Sequence, residues 1–175
     1  MLSAARHCCQ VRFTLGVTTF PPPSGSQQHE CSNDNKCSQS CKQDWEEHGD
    51  RCFYWSQETK SWNDAEESCK EKGGHLASVT STATNDYIEA GMSDYLWIGG
   101  SFFGSEGVWK WSDCSDWDFK KLGILHSEKQ PSNKTRHKCL GYDRDTRKCV
   151  DDCSQKKRFL CSIKLCSGES HHFVR

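Results

Sequence analysis

Oxygen-bearing side chains lie at both ends of residues 130–161, and they are the groups of this chain best placed to bind a metal ion. Pro131 is flanked by polar side chains, and the acidic pair Asp151-Asp152 lies near the end of the segment. Calcium is a hard cation that takes six to eight oxygen ligands. Because cysteines lie between and beyond these groups, disulfides could bring them together. The segment therefore indicates a loop whose carboxylates and amides converge on one cation.

The composition excludes several classes of function. The chain has 175 residues, and 23 Lys and Arg nearly balance 24 Asp and Glu, for a net charge of −1. This balance does not indicate a nucleic-acid partner or binding to an anionic membrane, and no apolar run has the length of a membrane span. The sequence contains no GxSxG, no HExxH and no convincing nucleophile–base pair. It therefore predicts a binding protein and not an enzyme.

Cysteine is the most informative residue type. Thirteen cysteines indicate an oxidising compartment, a disulfide framework and hence a secreted protein. Zinc sites are disfavoured because they usually contain paired Cys-x2-Cys motifs, which are absent here. The odd number leaves at least one cysteine free or bonded to another chain. Cys8 and Cys9 are adjacent, and they either link a disulfide-bonded oligomer or remain free.

Residues 1–40 have the composition of a flexible extension. Pro21–Pro23 stiffens a short spacer, and residues 24–28 are polar. The apolar stretch within residues 1–20 is too short and too diluted for a good signal-peptide core. The predicted secretion thus depends on the cysteines, and we expect the start of the sequence to be incomplete or unusual.

Two stretches after Cys41 carry the signals of helices. Ser61 can cap a helix over residues 62–72, which Gly73-Gly74 ends. A second predicted helix covers residues 82–90, opened by Ser or Thr and closed by glycine.

The remaining apolar runs predict strands. Residues 41–52 indicate a hairpin with its turn at Gly49-Asp50, and the run over 95–98 is expected to stop at Gly99-Gly100. The irregular stretch from Asp113 to about Arg136 is long enough to be functional. Further strands are predicted over 52–55, 75–78, 108–111, 138–142, 147–150 and 158–161.

This order of elements resembles the C-type lectin-like domain from Cys41 to about Ser162. The resemblance implies an α+β fold, with two helices, two small antiparallel sheets and a long loop region. We therefore expect that domain over residues 41–163, after the extension over 1–40 and before a C-terminal tail over 164–175. The resemblance rests on the motifs Cys52-Phe53-Tyr54, Trp62-Asn63-Asp64-Ala65-Glu66, Gly73-Gly74-His75-Leu76-Ala77-Ser78, Leu96-Trp97-Ile98-Gly99-Gly100, Trp109-Lys110-Trp111-Ser112-Asp113, Cys139-Leu140 and Phe159-Leu160-Cys161.

The resemblance also implies disulfides, each contributing about 2–4 kcal/mol mainly by restricting the unfolded chain. The implied pairs are Cys41–Cys52, Cys69–Cys161 and Cys139–Cys153.

Residues 147–153 resemble more specifically the fish ladderlectins and type II antifreeze proteins, which carry an extra cysteine in this region. Here that cysteine is Cys149, with Cys114 as its candidate partner. Cys166 could pair with either Cys31 or Cys37.

A calcium and sugar site is the function that the resemblance implies. Family members hold calcium with a Glu/Gln-Pro-Asn/Asp triplet, an acid before a core cysteine and an Asn/Asp-Asp pair. The matching residues are Gln130, Ser132, Asp151 and Asp152, with Gln130, Asp151 and Asp152 as metal ligands. Alternatively, Gln130 to Ser132 is only a turn, and the two aspartates are a solvated strand end.

This motif departs from the family pattern in ways that weaken a cation site. Ser132 offers a neutral hydroxyl, and the expected acid before Cys139 is replaced by the cationic run over 136–138. Ligand charge sets calcium affinity, so we expect Ca2+ to bind weakly or not at all. Asp143 or Asp145 could supply a further ligand.

The resemblance favours a secreted carbohydrate-binding lectin that recognises glycans or glycoproteins, including those of microbes in innate immunity. A triplet that begins with Gln130 is associated with galactose. Trp117 is the candidate for stacking on a sugar ring, and Asn133 begins a glycosylation sequon.

The main alternative is a calcium-independent domain that binds a protein or another non-sugar ligand. Ice binding is less favoured, because an ice-binding face should be flat and rich in small residues. The segment here carries Lys129, Lys134, Arg136 and Lys138.

Overall fold

The structure, a computed structural model, describes residues 37–103, 108–117, 138–143 and 147–167. These residues confirm the predicted α+β class with two helices. The elements in chain order are β1 (Glu46–His48), β2 (Arg51–Trp55), α1 (Trp62–Glu71), β3 (His75–Leu76), α2 (Thr82–Gly91), β4 (Leu96–Phe103), β5 (Val108–Trp111), β6 (Lys138–Asp143), β7 (Arg147–Asp152) and β8 (Arg158–Lys164).

Both helices begin at a serine cap. The Ser61 hydroxyl accepts a hydrogen bond from the backbone N–H of Asp64, and the Ser81 hydroxyl accepts one from Thr84. Each cap satisfies a backbone donor that the first helical turn leaves without an intrahelical partner. The face that α1 turns to the core consists of Trp62, Ala65, Glu66, Ser68 and Cys69.

The strands form two antiparallel groups. In the first, β2 pairs with β1 and β8, and β3 also pairs with β8. In the second, β4 lies between β5 and β6, and β7 pairs with β6. Leu96-Trp97 of β4 pair in parallel with Arg158-Phe159 of β8. The two predicted small sheets are therefore joined into one mixed sheet by this short parallel pairing.

The prediction that Gly99-Gly100 end the strand is wrong, because β4 continues through both glycines to Phe103. A Cβ on Gly99 would lie 2.6 Å from the carbonyl oxygen of Leu76, and one on Gly100 would lie 2.8 Å from the Cβ of Leu140. Glycine is needed here because neighbouring segments approach the strand closely.

Two clusters of buried side chains fill the interior on either side of β4. Trp97 is fully buried in one cluster, and Trp111 is buried in the other. The larger cluster comprises Phe53, Ala77, Val79, Ile88, Leu96, Ile98, Trp111, Leu140, Tyr142 and Leu160.

A buried carboxylate fastens β3 to α1. Glu66 is only 2% exposed, its Oε1 lies 2.7 Å from Nδ1 of His75, and its Oε2 accepts a hydrogen bond from the backbone N–H of Leu76. The hydrogen bond to Glu66 raises the pKa of His75 above its ordinary value of 6.5, although burial acts in the opposite direction.

Disulfides join the ends of these elements. The structure contains the pairs Cys41–Cys52, Cys69–Cys161 and Cys139–Cys153, which are those that the resemblance implies.

A further disulfide lies at the two ends of the described chain. Cys37 is bonded to Cys166, and the adjacent Ser38 forms a bridge with Leu165. Of the two partners considered for Cys166, the structure has Cys37. The domain boundaries at 41 and 163 stay a prediction.

Cys114 is disulfide-bonded as well. The side chain of Cys149 lies outside the described residues, so the pairing of these two cysteines stays a prediction.

Candidate functional site

The acidic pair Asp151-Asp152 ends β7 at one edge of the sheet. Asp152 lies opposite Lys138, and Asp151 lies opposite Cys139. The disulfide from Cys139 to Cys153 holds this register directly beside the pair. The edge is where β4 ends and β6 begins, so residues 104–137, which include Gln130, Ser132 and Asn133, connect to it. Those three residues lie outside the described part of the chain.

Asp151 is already paired with a cation of the protein. Its Oδ2 lies 3.0 Å from Nζ of Lys157, and the two side chains are only 20% and 11% exposed. The Lys157 ammonium also lies 5.1 Å from the ring centroid of Tyr95 and 5.0 Å from that of Trp97. Two aromatic faces and a carboxylate thus surround the ammonium, and they leave it bound within the protein.

The second carboxylate closes a turn. Oδ1 of Asp152 accepts hydrogen bonds from the backbone N–H of Ser154 at 3.0 Å and from its hydroxyl at 2.8 Å. Oδ1 of Asp151 accepts one from the backbone N–H of Asp152 at 2.8 Å. Both acids therefore have intramolecular roles, because one forms an ion pair and the other caps the turn that returns the chain to β8.

The described residues do not fit a tight calcium site. Within them, no group of three His, Cys, Asp or Glu side chains is arranged to hold a metal ion. Asp143, considered as an extra ligand, is buried at the far end of β6, opposite Arg147. Five residues of strand separate Asp143 from Lys138, which is about 17 Å. The assignment of Gln130, Ser132, Asp151 and Asp152 as calcium and sugar ligands stays a prediction.

Trp117 belongs to a cluster of tryptophans. Its ring is nearly parallel to that of Trp109, at a centroid distance of 5.7 Å, and lies 4.4 Å from that of Trp111. Trp111 belongs to the larger core cluster, and Trp109 and Trp117 pack against it. Stacking of Trp117 on a sugar stays a prediction, and any sugar would meet a ring that the fold already holds in place.

A buried ion pair fixes the segment that leads to Trp117. Nη1 of Arg51 lies 3.0 Å from Oδ2 of Asp113, and the hydroxyl of Ser78 and the backbone N–H of Ser115 also donate to that carboxylate. Burial alone would raise the pKa of Asp113, but the Arg51 charge and these hydrogen bonds outweigh it and hold the pKa below 3.8.

Comparison with known proteins identifies the family. The model of the lectin C-type domain matches residues 58–163. The chain belongs to the C-type lectin domain family.

Relatives of this lectin domain include both sugar-binding and ice-structuring proteins. The galactose-specific lectin nattectin of Thalassophryne nattereri is 35% identical over 140 residues, which cover 74% of this chain and 84% of nattectin. A type-2 ice-structuring protein of Brachyopsis segaliensis is 32% identical over 124 residues, covering 70% of this chain and 71% of the relative.

Among solved structures, a calcium-independent type II antifreeze protein aligns with a TM-score of 0.63 and 29% identity, over 71% of this chain and 95% of that one. In the part of this lectin domain that the structure describes, no helix is both long and apolar enough to cross a membrane.

Sequence reasoning missed two residues that shape the site of this lectin domain. Lys157 stands in the run Lys156-Lys157-Arg158, where nothing in the pattern distinguishes the lysine that turns inward. Arg51 follows a turn and has the sequence context of a surface residue. The one available signal is that each of these cations directly precedes a predicted strand, over 52–55 for Arg51 and over 158–161 for Lys157.

Proposed function

We propose that this protein is a secreted carbohydrate-binding lectin whose recognition does not require calcium at Asp151-Asp152. The observation that carries the proposal is the ion pair between Asp151 and Lys157. In calcium-dependent sites, the charge and number of oxygen ligands set the affinity for the metal. Here Lys157 supplies positive charge at the carboxylate, so a cation from solution would have to displace it.

Carbohydrate is the ligand class that membership of the lectin family supports. A relative named as galactose-specific aligns over most of its length. We therefore propose galactose-type recognition, made by the loop face beside β7. The disulfide framework supports an extracellular, oxidising location, and the family supports a binding role and not catalysis.

Affinity chromatography tests this proposal. The full chain is applied to immobilised galactose in the presence of EDTA. Immobilised glucose is the matched control, because it differs from galactose only in the configuration of one hydroxyl group. We expect retention on galactose and elution by free galactose. Retention that EDTA abolishes and calcium restores would disprove the calcium-independent mode, and equal behaviour on both sugars would disprove the specificity.

A second function is favoured by one comparison. A calcium-independent type II antifreeze protein shares the fold at 29% identity. Calcium-independent binding of a protein or another non-sugar ligand by the same face is therefore the alternative, and ice binding is its least favoured form because of the charged loop. Absence of retention on any glycan, together with measurable thermal hysteresis, would favour this alternative.

A further inference from the structure

A cavity of about 300 Å³ lies where β4 and β8 begin side by side. Its volume is at the lower end of the range for small-molecule sites, about 300–1,000 Å³. Leu96 lines the cavity and pairs with Tyr142 of β6. The acidic pair lies at the other end of β6, where Lys138 is opposite Asp152. Four residues of β6, about 14 Å, separate these two levels. Neither Asp151 nor Asp152 lines the cavity. Lys157, the ion-pair partner of Asp151, lies 5.1 Å from the ring of Tyr95, which does line it.

The aromatic wall of the cavity is held in position. Nε1 of Trp55 donates a hydrogen bond to the hydroxyl of Tyr87 at 3.3 Å, and that hydroxyl donates to Oε2 of Glu46 at 2.7 Å. Gly91 lies against the same indole, since a Cβ there would be 2.7 Å from Cζ2 of Trp55. A half-buried ring fixed in this way offers a preformed apolar face to a ligand.

A guanidinium that has no ion pair or hydrogen bond with the described residues lines the same cavity. Arg158, the first residue of β8, is half-buried. Its side chain makes no ion pair or hydrogen bond within the described ranges, unlike that of Arg51, which has the carboxylate of Asp113. Arginine binds carboxylates through two parallel hydrogen bonds, so Arg158 is suited to a ligand that carries a carboxylate.

The remaining polar groups suit hydroxyls. The exposed side chains of Glu46, Gln57 and Asp94 line the cavity around Trp55 and Arg158. Carboxylates accept hydrogen bonds from hydroxyl groups, and the amide of a glutamine can both donate and accept. An apolar ring face, one cation and several such groups match a sugar ring that has one apolar face, several hydroxyls and one carboxylate.

We propose that this cavity is a second binding site, specific for a saccharide unit that carries a carboxylate, such as a uronic acid. The carboxylate lies on Arg158, the C–H face of the ring packs on Trp55, and hydroxyls donate to Asp94 and Glu46. The site is independent of the galactose-type recognition proposed for the loop face, so either can fail while the other holds.

Two sugars that differ in one group test the proposal. The full chain, labelled with 15N, is titrated with methyl β-glucuronide and with methyl β-glucoside to about 20 mM, which covers weak millimolar binding. We expect saturable shifts of the Trp55 indole N–H with the glucuronide, and an affinity at least about tenfold above that for the glucoside. Equal affinities, or no shift with either sugar, would overturn the proposal.

Substitutions of Arg158 then test whether the sugar carboxylate binds to its guanidinium. Arg158→Gln should reduce the affinity for the glucuronide to that for the glucoside. Arg158→Lys should retain part of the affinity, because the positive charge remains but the two parallel N–H donors of the guanidinium are lost. Lys164→Gln, which removes an exposed charge at the other end of β8, is the matched control and should change nothing. Unchanged affinity in Arg158→Gln would refute the site. Should that variant unfold, Arg158→Lys and the comparison of the two sugars decide.

Discussion

The substitution Lys157→Met examines the ion pair on which the account depends. Methionine has a similar length and retains contact with the rings of Tyr95 and Trp97, but it carries no charge. Asp151 would then keep a largely buried carboxylate without its partner, because its side chain is only 20% exposed. The variant should therefore lose stability and gain a carboxylate that is free to attract a cation.

The magnitude follows from burial. Exposed ion pairs are worth about 0–1 kcal/mol, whereas removal of one partner from a fully buried pair costs about 3–5 kcal/mol. With side chains 11% and 20% exposed, an intermediate value of about 2 kcal/mol is expected. Two cation–π contacts contribute roughly 0.5–1 kcal/mol each. The total loss in the free energy of unfolding should thus be about 3–4 kcal/mol.

Urea unfolding under non-reducing conditions measures this loss. A double-mutant cycle with Lys157→Met and Asp151→Asn should give a coupling energy of about 1–2 kcal/mol. Lys156→Met is the matched control, because Lys156 is exposed and directly precedes Lys157 in the chain. It should change the free energy of unfolding by less than about 0.5 kcal/mol. A coupling energy near zero, or equal losses in Lys156→Met and Lys157→Met, would refute the reasoning.

Three further changes test other parts of the fold. The pKa of His75 is raised above 6.5 by its buried carboxylate partner, so the protonated pair stabilises the fold fully below pH 6.5 and loses this contribution as the pH rises through the folded pKa. His75→Gln should flatten that part of a plot of urea midpoint against pH, and an unchanged slope would contradict the assignment. Asp113→Asn leaves Arg51 buried without its carboxylate and should lower the free energy of unfolding, measured in urea, by about 3 kcal/mol. A decrease of less than about 1 kcal/mol would contradict this expectation. Replacing both Cys37 and Cys166 by serine should lower the free energy of unfolding by about 2–3 kcal/mol. The loss is limited because the other disulfides already shorten the loop that Cys37–Cys166 closes. A melting temperature equal to that of the wild type would show that this disulfide adds nothing.

Local signals account for most of the fold that sequence could predict. Ser61 marks the start of α1 because a serine hydroxyl satisfies a backbone donor at that position, which is a property of neighbouring residues alone. Gly49-Asp50 gave the hairpin turn for the same reason, since Gly49 adopts a φ of +62°. In contrast, the role of Gly99-Gly100 depends on Leu76 and Leu140, which are distant in sequence, and the pair was mistaken for a strand end.

The candidate site could be predicted only in part. The sequence places Asp151-Asp152 at a strand end, but it does not identify Lys157, which reaches Asp151 from just before β8. That contact depends on the turn capped by Asp152 and on the position of two aromatic rings. A motif of metal ligands therefore indicates where a cation belongs, whereas tertiary packing decides whether the cation is calcium or a lysine side chain.

Calcium binding tests the central claim most directly. The thermal unfolding midpoint of the wild type is compared in EDTA and in about 10 mM calcium, with Asp151→Asn as the control. A site with a dissociation constant near 0.1 mM would add about 2.7 kcal/mol under these conditions, which would move the midpoint by several degrees. The account predicts the same midpoint in both solutions. A rise in calcium that Asp151→Asn abolishes would show that the metal, and not Lys157, occupies the carboxylate.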